Sequence, residues 1–120
     1  MDLISTIDYS LFPQAERFTQ MLLSRTIGGD SCRVYALSVP PGGGSPTGTH
    51  MHKFDKFYFC LSGTMDVEVE DQQFKAAPGT LIWVPKGAPH RNWNGGSEKV
   101  VHLAVLFPQM ADGEPVTHPV

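Results

Sequence analysis

A chain of 120 residues, 41% of them hydrophobic and 18% charged, is long enough to bury one core without disulfide or metal staples. Nine Lys and Arg against twelve Asp and Glu leave a formal charge of −3, which argues against the clustered basic surface of a nucleic-acid binder. The opening residues show no basic segment followed by an apolar run, and the longest apolar stretch, near residues 100–107, is too short to span a bilayer, so neither a signal peptide nor a membrane contact is expected. Cys32 and Cys60 fit no CxxC spacing and both fall in strand-like runs, which suits buried free thiols and a cytoplasmic protein.

Taken in chain order, the hydrophobic pattern has a period of two rather than 3.6, so the expected class is all-β. Residues 12–18 have room for one or two helical turns, and no other stretch suggests a helix. Strands are expected at 20–26 and 32–39, divided by the turn signal Gly28, Gly29, Asp30. Residues 40–46 are rich in proline and glycine and read as a loop, since neither flank is large enough to be a domain. Residues 56–61 are apolar or aromatic on both faces, which implies that both faces are covered, and Ser62 with Gly63 makes a tight turn into the next run. In residues 64–70, Met65, Val67 and Val69 share one face while Asp66, Glu68 and Glu70 share the other, the pattern of a half-buried antiparallel strand. Short strands follow at 73–76, 81–84 and 99–107, punctuated by Pro78-Gly79, Pro85 to Pro89 and Gly95-Gly96. Short strands with regular Gly/Pro turns point to a barrel or sandwich, with one domain over residues 1–108 and a proline-rich tail at 109–120.

His50 and His52 stand two apart, so on an extended segment both imidazoles reach the same side and can share one ion. Their surroundings carry a family pattern. Gly44, five residues, His50-Met51-His52, three residues, Lys56, six residues and Gly63 follow the first cupin motif, with lysine where that motif has glutamate. Gly79, five residues, Pro85-Lys86-Gly87, two residues, His90, three residues and Asn94 follow the second motif throughout. The chain thus resembles the cupin superfamily over residues 44–94 and their flanks. The resemblance implies a double-stranded β-helix, or jelly-roll, barrel with His50, His52 and His90 as metal ligands.

Lys56 stands at the fourth ligand position, and a protonated ammonium cannot coordinate a cation. Asp55 points to the opposite face of a regular strand. Three neutral imidazoles with open positions suit Fe(II), Zn, Ni or Cu without choosing among them. The expectation is therefore a metal-dependent enzyme on a small organic molecule, of dioxygenase or of isomerase, lyase or cyclase type, with a non-catalytic or metal-free binding protein as the alternative. Lys56 and Tyr58 share inward parity and are the candidate catalytic residues, with Lys56 favouring an anionic or carbonyl-bearing substrate. Asn92 is a candidate ligand contact and Asn94 a turn residue, while His102 is placed in the core or at the rim. The outward stripe Phe57, Phe59, Leu61 predicts a homodimer unless another part of the chain covers it.

Overall fold

Alternation of side chains decides which face each strand buries, and the computed structural model, which describes residues 4–23, 32–44 and 48–107, follows that alternation closely. Its strands are β1 (Phe18–Leu23), β2 (Arg33–Val39), β3 (Asp55–Ser62), β4 (Met65–Val69), β5 (Gln72–Ala76), β6 (Leu81–Val84), β7 (His90–Trp93) and β8 (Val100–Phe107). They form two antiparallel sheets, one ordered β1-β2-β8-β3-β6 and the other β5-β4-β7. The all-β expectation holds. Among the described residues the sole helical element is a 3-10 turn at Tyr9–Leu11, capped by the Asp8 carboxylate on the Ser10 N–H. Residues 12–18 are not helical as expected, because Phe12 and Phe18 turn inward onto the back of the large sheet instead of lining a helix face. The distal end of the expected strand 20–26, the turn at 28–30, part of the 40–46 loop and the tail at 109–120 lie outside the described residues.

The main core lies between the sheets. Leu37 and Val39 from β2, Tyr58 and Cys60 from β3, Val100, Ala104 and Leu106 from β8, and Ile82 and Val84 from β6 meet Met65 and Val67 of β4. Each such aliphatic or aromatic side chain stabilises the fold by roughly 1.5–3 kcal/mol through burial. A second cluster covers the outer face of the large sheet, where Phe12, Leu22, Ala36 and Val101 pack with Ile7, Phe18, Leu61 and Leu103. The amino-terminal segment thus covers the Leu61 end of the outward stripe. The Phe57 end packs on Phe107, whose ring also meets Trp83.

Two glycines of the first motif are required by close approach. Gly63 has φ of +73°, and a Cβ there would sit 2.6 Å from the Lys99 carbonyl oxygen. A Cβ on Gly44 would meet the Asn92 carbonyl and Trp93 at 2.9 Å, because the loop runs directly against β7 and bridges to Trp93. Asn94 closes the same junction from the other side. Its amide donates to the carbonyls of Val39 and Glu98 and its Oδ1 accepts from Gly96 N–H, so it is the turn residue expected.

Candidate metal centre

The two motifs are laced together by backbone hydrogen bonds, and this lacing gathers the histidines. His50 and His90 exchange N–H to carbonyl bonds at 2.9 and 2.8 Å, and the Gly87 N–H donates to the His52 carbonyl at 2.9 Å. Asp55 faces outward as expected, and its carboxylate accepts from the Lys86 N–H, pinning the Pro85–Gly87 turn to β3. The result is a buried cluster of His50, His52 and His90, with ring centroids 4.4 to 5.0 Å apart. One nitrogen from each lies within 4.8 Å of the others. That is looser than ligation of a single ion requires. Ligation at roughly 2.1 Å lets two donors stand no more than about 4.2 Å apart, so the widest pair closes by up to about half an ångström to share an ion.

Tautomers favour a cation at the centre. A carbonyl only accepts, so the contacts His50 Nδ1 to the Gly48 oxygen (2.7 Å) and His90 Nδ1 to the Ala88 oxygen (2.9 Å) place the proton on Nδ1 in both rings. Their lone pairs are then on Nε2, and that of His90 is buried with no hydrogen-bond partner among the described residues. Burial holds the His90 pKa down to about 3 and lowers that of His50, in each case against the backbone bond that raises it and with help from nearby Lys56. Neutral imidazoles with oriented second nitrogens are the form a metal requires. His52 is stacked on Phe54 at 4.8 Å.

Lys56 lies inside the cluster's reach. Its ammonium is 3.3 Å from His52 Nε2 and 4.6 Å from the centre of the Tyr58 ring. Burial first, and the charge of Arg17 second, push its pKa down to about 7. Burial raises that of Tyr58, whose hydroxyl stays protonated and donates a hydrogen bond to Asn92 Oδ1 at 3.4 Å. Asn92 in turn reaches the Met65 sulfur. Among the described residues no carboxylate enters this group: Asp66 and Glu68 bond Lys75 and Arg91 on the outer face of the small sheet. The charges that act on the group, from Lys56 and Arg17, are therefore positive.

A model of the cupin domain matches residues 36–106 of this sequence. The chain belongs to the cupin family. This cupin is 33% identical over 70 residues to a mannose-1-phosphate guanylyltransferase of Sinorhizobium fredii, a stretch that is 58% of the chain but 14% of that enzyme. It superposes on the polyketide cyclase RemF of Streptomyces resistomycificus with a TM-score of 0.73, covering 99% of the chain and 80% of the cyclase at 24% identity. The DMSP lyase DddQ of Ruegeria pomeroyi matches with a TM-score of 0.70 over 97% of the chain and 56% of the lyase at 20% identity.

Of the sequence-derived site residues, His50, His52, His90, Lys56 and Tyr58 all converge in the cupin barrel, and Asn92 joins them. Neither tryptophan lies among them. Trp83 is half exposed on the outer face, and Trp93 stacks under the Arg91 guanidinium at 4.5 Å. Arg17 was missed: although the residue is largely exposed, its charge acts on His50, Lys56, Tyr58 and His102. It shares alternation with Thr19 and Met21, so the only sequence signal was strand parity, hidden by the helical reading of residues 12–18. His102 is buried among inward-facing neighbours rather than at the rim.

Proposed function

We propose that this cupin is a metal-dependent enzyme whose ligand is a small organic anion, with His50, His52 and His90 holding one divalent ion. The observation that carries the reading is the orphaned, buried Nε2 of His90 beside a second imidazole of the same fixed tautomer. An ion of the Fe(II), Zn, Ni or Cu type would supply a Lewis acid or an oxygen activator at that point. Lys56 and Arg17 balance the charge of a carboxylate or enolate-like group, and the Tyr58 hydroxyl, by turning its one proton away from its long contact with Asn92 Oδ1, donates a hydrogen bond to an oxygen on which charge develops. The cyclase and the lyase are precedents for those two activities on this fold, and oxygenation is the other class open to a three-histidine site. The cytoplasm, where thiols stay reduced, is the proposed location.

Metal content of protein purified without added metal tests the reading. About one equivalent of a divalent transition metal per chain is expected by mass spectrometry, falling to background in His90→Ala. A metal-free wild-type protein that also fails to take up zinc, iron, nickel or copper overturns it. The contact between Lys56 and His52 Nε2 favours a second reading, a metal-free binding cupin, because it engages one of the lone pairs an ion would use.

We also propose that the outer face of β3 and β6 pairs with a second copy of the chain. Leu81 and Trp83 are 52% and 47% exposed there, on an edge strand beside Phe57 and Phe107. Light scattering at tens of micromolar, roughly where specific interfaces hold, should give a dimer. A monomer at that concentration removes this part of the proposal.

A further inference from the structure

The barrel interior holds a second polar pole that neither motif accounts for. His102 lies on β8 with Val100, Ala104 and Leu106, all members of the inner core, and opposite Leu37 of β2 and Cys60 of β3. It is 1% exposed. Its ring stands edge-on to Tyr58, with centroids 5.4 Å apart, and Tyr58 also stands edge-on to His90 at 6.3 Å. Tyr58 therefore touches both His102 and a member of the three-histidine cluster.

The chemistry of His102 is narrowly defined. Its Nδ1 faces the Leu103 carbonyl at 3.3 Å, a group that can only accept, so the proton sits on Nδ1 and Nε2 is a lone pair. Burial keeps the ring neutral. That Nε2 is fully buried and has no hydrogen-bond partner among the described residues. An unsatisfied buried acceptor costs about 1–3 kcal/mol, so a site that retains one is built to receive a donor. The positive charges of Lys56 and Arg17 both act on this ring, which disfavours an ammonium donor and leaves a neutral donor, of which a hydroxyl is the smallest, as the fitting partner.

We propose that His102 is a specificity-determining anchor that accepts, through Nε2, a hydrogen bond from a hydroxyl carried on the part of the ligand remote from the three histidines. This deepens the anion reading and rests on it for the carboxylate end: the ligand class becomes a hydroxy acid, or its phenolic or enolic equivalent. The Tyr58 ring lies alongside the chain that joins the two ends.

Two measurements test the anchor separately from the anion reading. In the first, zinc-loaded protein is titrated calorimetrically with butyrate, pentanoate and hexanoate and with the same acids bearing a terminal hydroxyl. At one chain length the hydroxyl should tighten binding by about tenfold, the worth of one satisfied hydrogen bond. In His102→Leu that advantage should fall to within about twofold while the plain acid binds as before, and His102→Gln, which keeps an acceptor, should retain part of it. In the second, nitrogen NMR of the metal-free wild-type protein follows His102 Nε2 during addition of phenol or toluene. Phenol should move the resonance in the direction of an accepting nitrogen, and toluene should not. If no carboxylate binds but phenol moves Nε2, the anion reading fails and the anchor stands. If the hydroxyl brings no advantage at any length and phenol leaves Nε2 unmoved, or if the advantage survives in His102→Leu, the anchor is wrong.

Discussion

Lys56→Glu is expected to tighten zinc binding by about a hundredfold or more and to weaken binding of plain carboxylates by at least about tenfold. The lysine replaces the one carboxylate of the first motif, and its ammonium lies 3.3 Å from a nitrogen of the metal cluster. A single positive charge about 5 Å from a doubly charged ion repels it by on the order of 6–7 kcal/mol at an effective dielectric near 20, and part of that is relieved when a flexible lysine swings aside. Reversing the charge removes the repulsion and adds a ligand. Lys56→Met, which keeps the volume but not the charge, should recover part of the gain, separating loss of repulsion from gain of a donor. Without metal the new carboxylate is buried and uncompensated, so the apo variant should melt below wild type, whereas the zinc-loaded variant should melt above zinc-loaded wild type. Competition against a chromophoric chelator and thermal melts with and without zinc supply the readings. Zinc affinity no better than wild type, with carboxylate binding intact, makes Lys56 a bystander.

How much of this was legible beforehand depended on whether polarity and periodicity agreed. In β4 they agree, and Met65 and Val67 go to the core while Asp66 and Glu68 bond Lys75 and Arg91 on the outside. In β3 both faces are apolar because both are covered, one by the opposite sheet and one partly by the amino-terminal segment. Strand β7 was not expected as a strand. Its inward residues are His90 and Asn92, so the alternation is present but carries polar side chains inside, where a functional site has overridden the hydrophobic code. The trio itself was legible because ligand spacing and glycine positions are local. Arg17 was not, because what makes it part of the site is the path of the chain across the barrel. His102 was seen, but its orphaned nitrogen is a property of three strands meeting and has no signature along one of them.

Acid should destabilise the metal-free protein through His102, and His102→Leu should remove that component. The folded-state pKa of His102 is about 3, lowered by burial and then by the charges of Lys56 and Arg17, with the Leu103 carbonyl opposing; the ordinary value is 6.5. Cys60 and Tyr58, the titratable groups facing it from β3, are both held neutral by burial and offer no negative charge to stabilise an imidazolium. As pH falls below 6.5 the unfolded chain takes up this proton and the native chain does not, so native stability drops until pH nears 3. At pH 4.5 the loss from this one group is about 2–3 kcal/mol, at roughly 1.4 kcal/mol per pH unit. Lys56 acts in the same direction in a higher window: its native pKa near 7 against 10.5 makes stability rise with pH between those values. At neutral pH, His102→Leu should be close to neutral or stabilising, since it exchanges an unsatisfied polar atom for an apolar side chain of similar volume. Urea midpoints measured with chelator present from pH 4.5 to 7 should therefore rise more steeply for wild type than for His102→Leu, with the variant the more stable at the acid end. Parallel curves would mean that His102 takes up its proton in the folded protein as readily as in the unfolded chain, and the depression of its pKa by burial would be wrong.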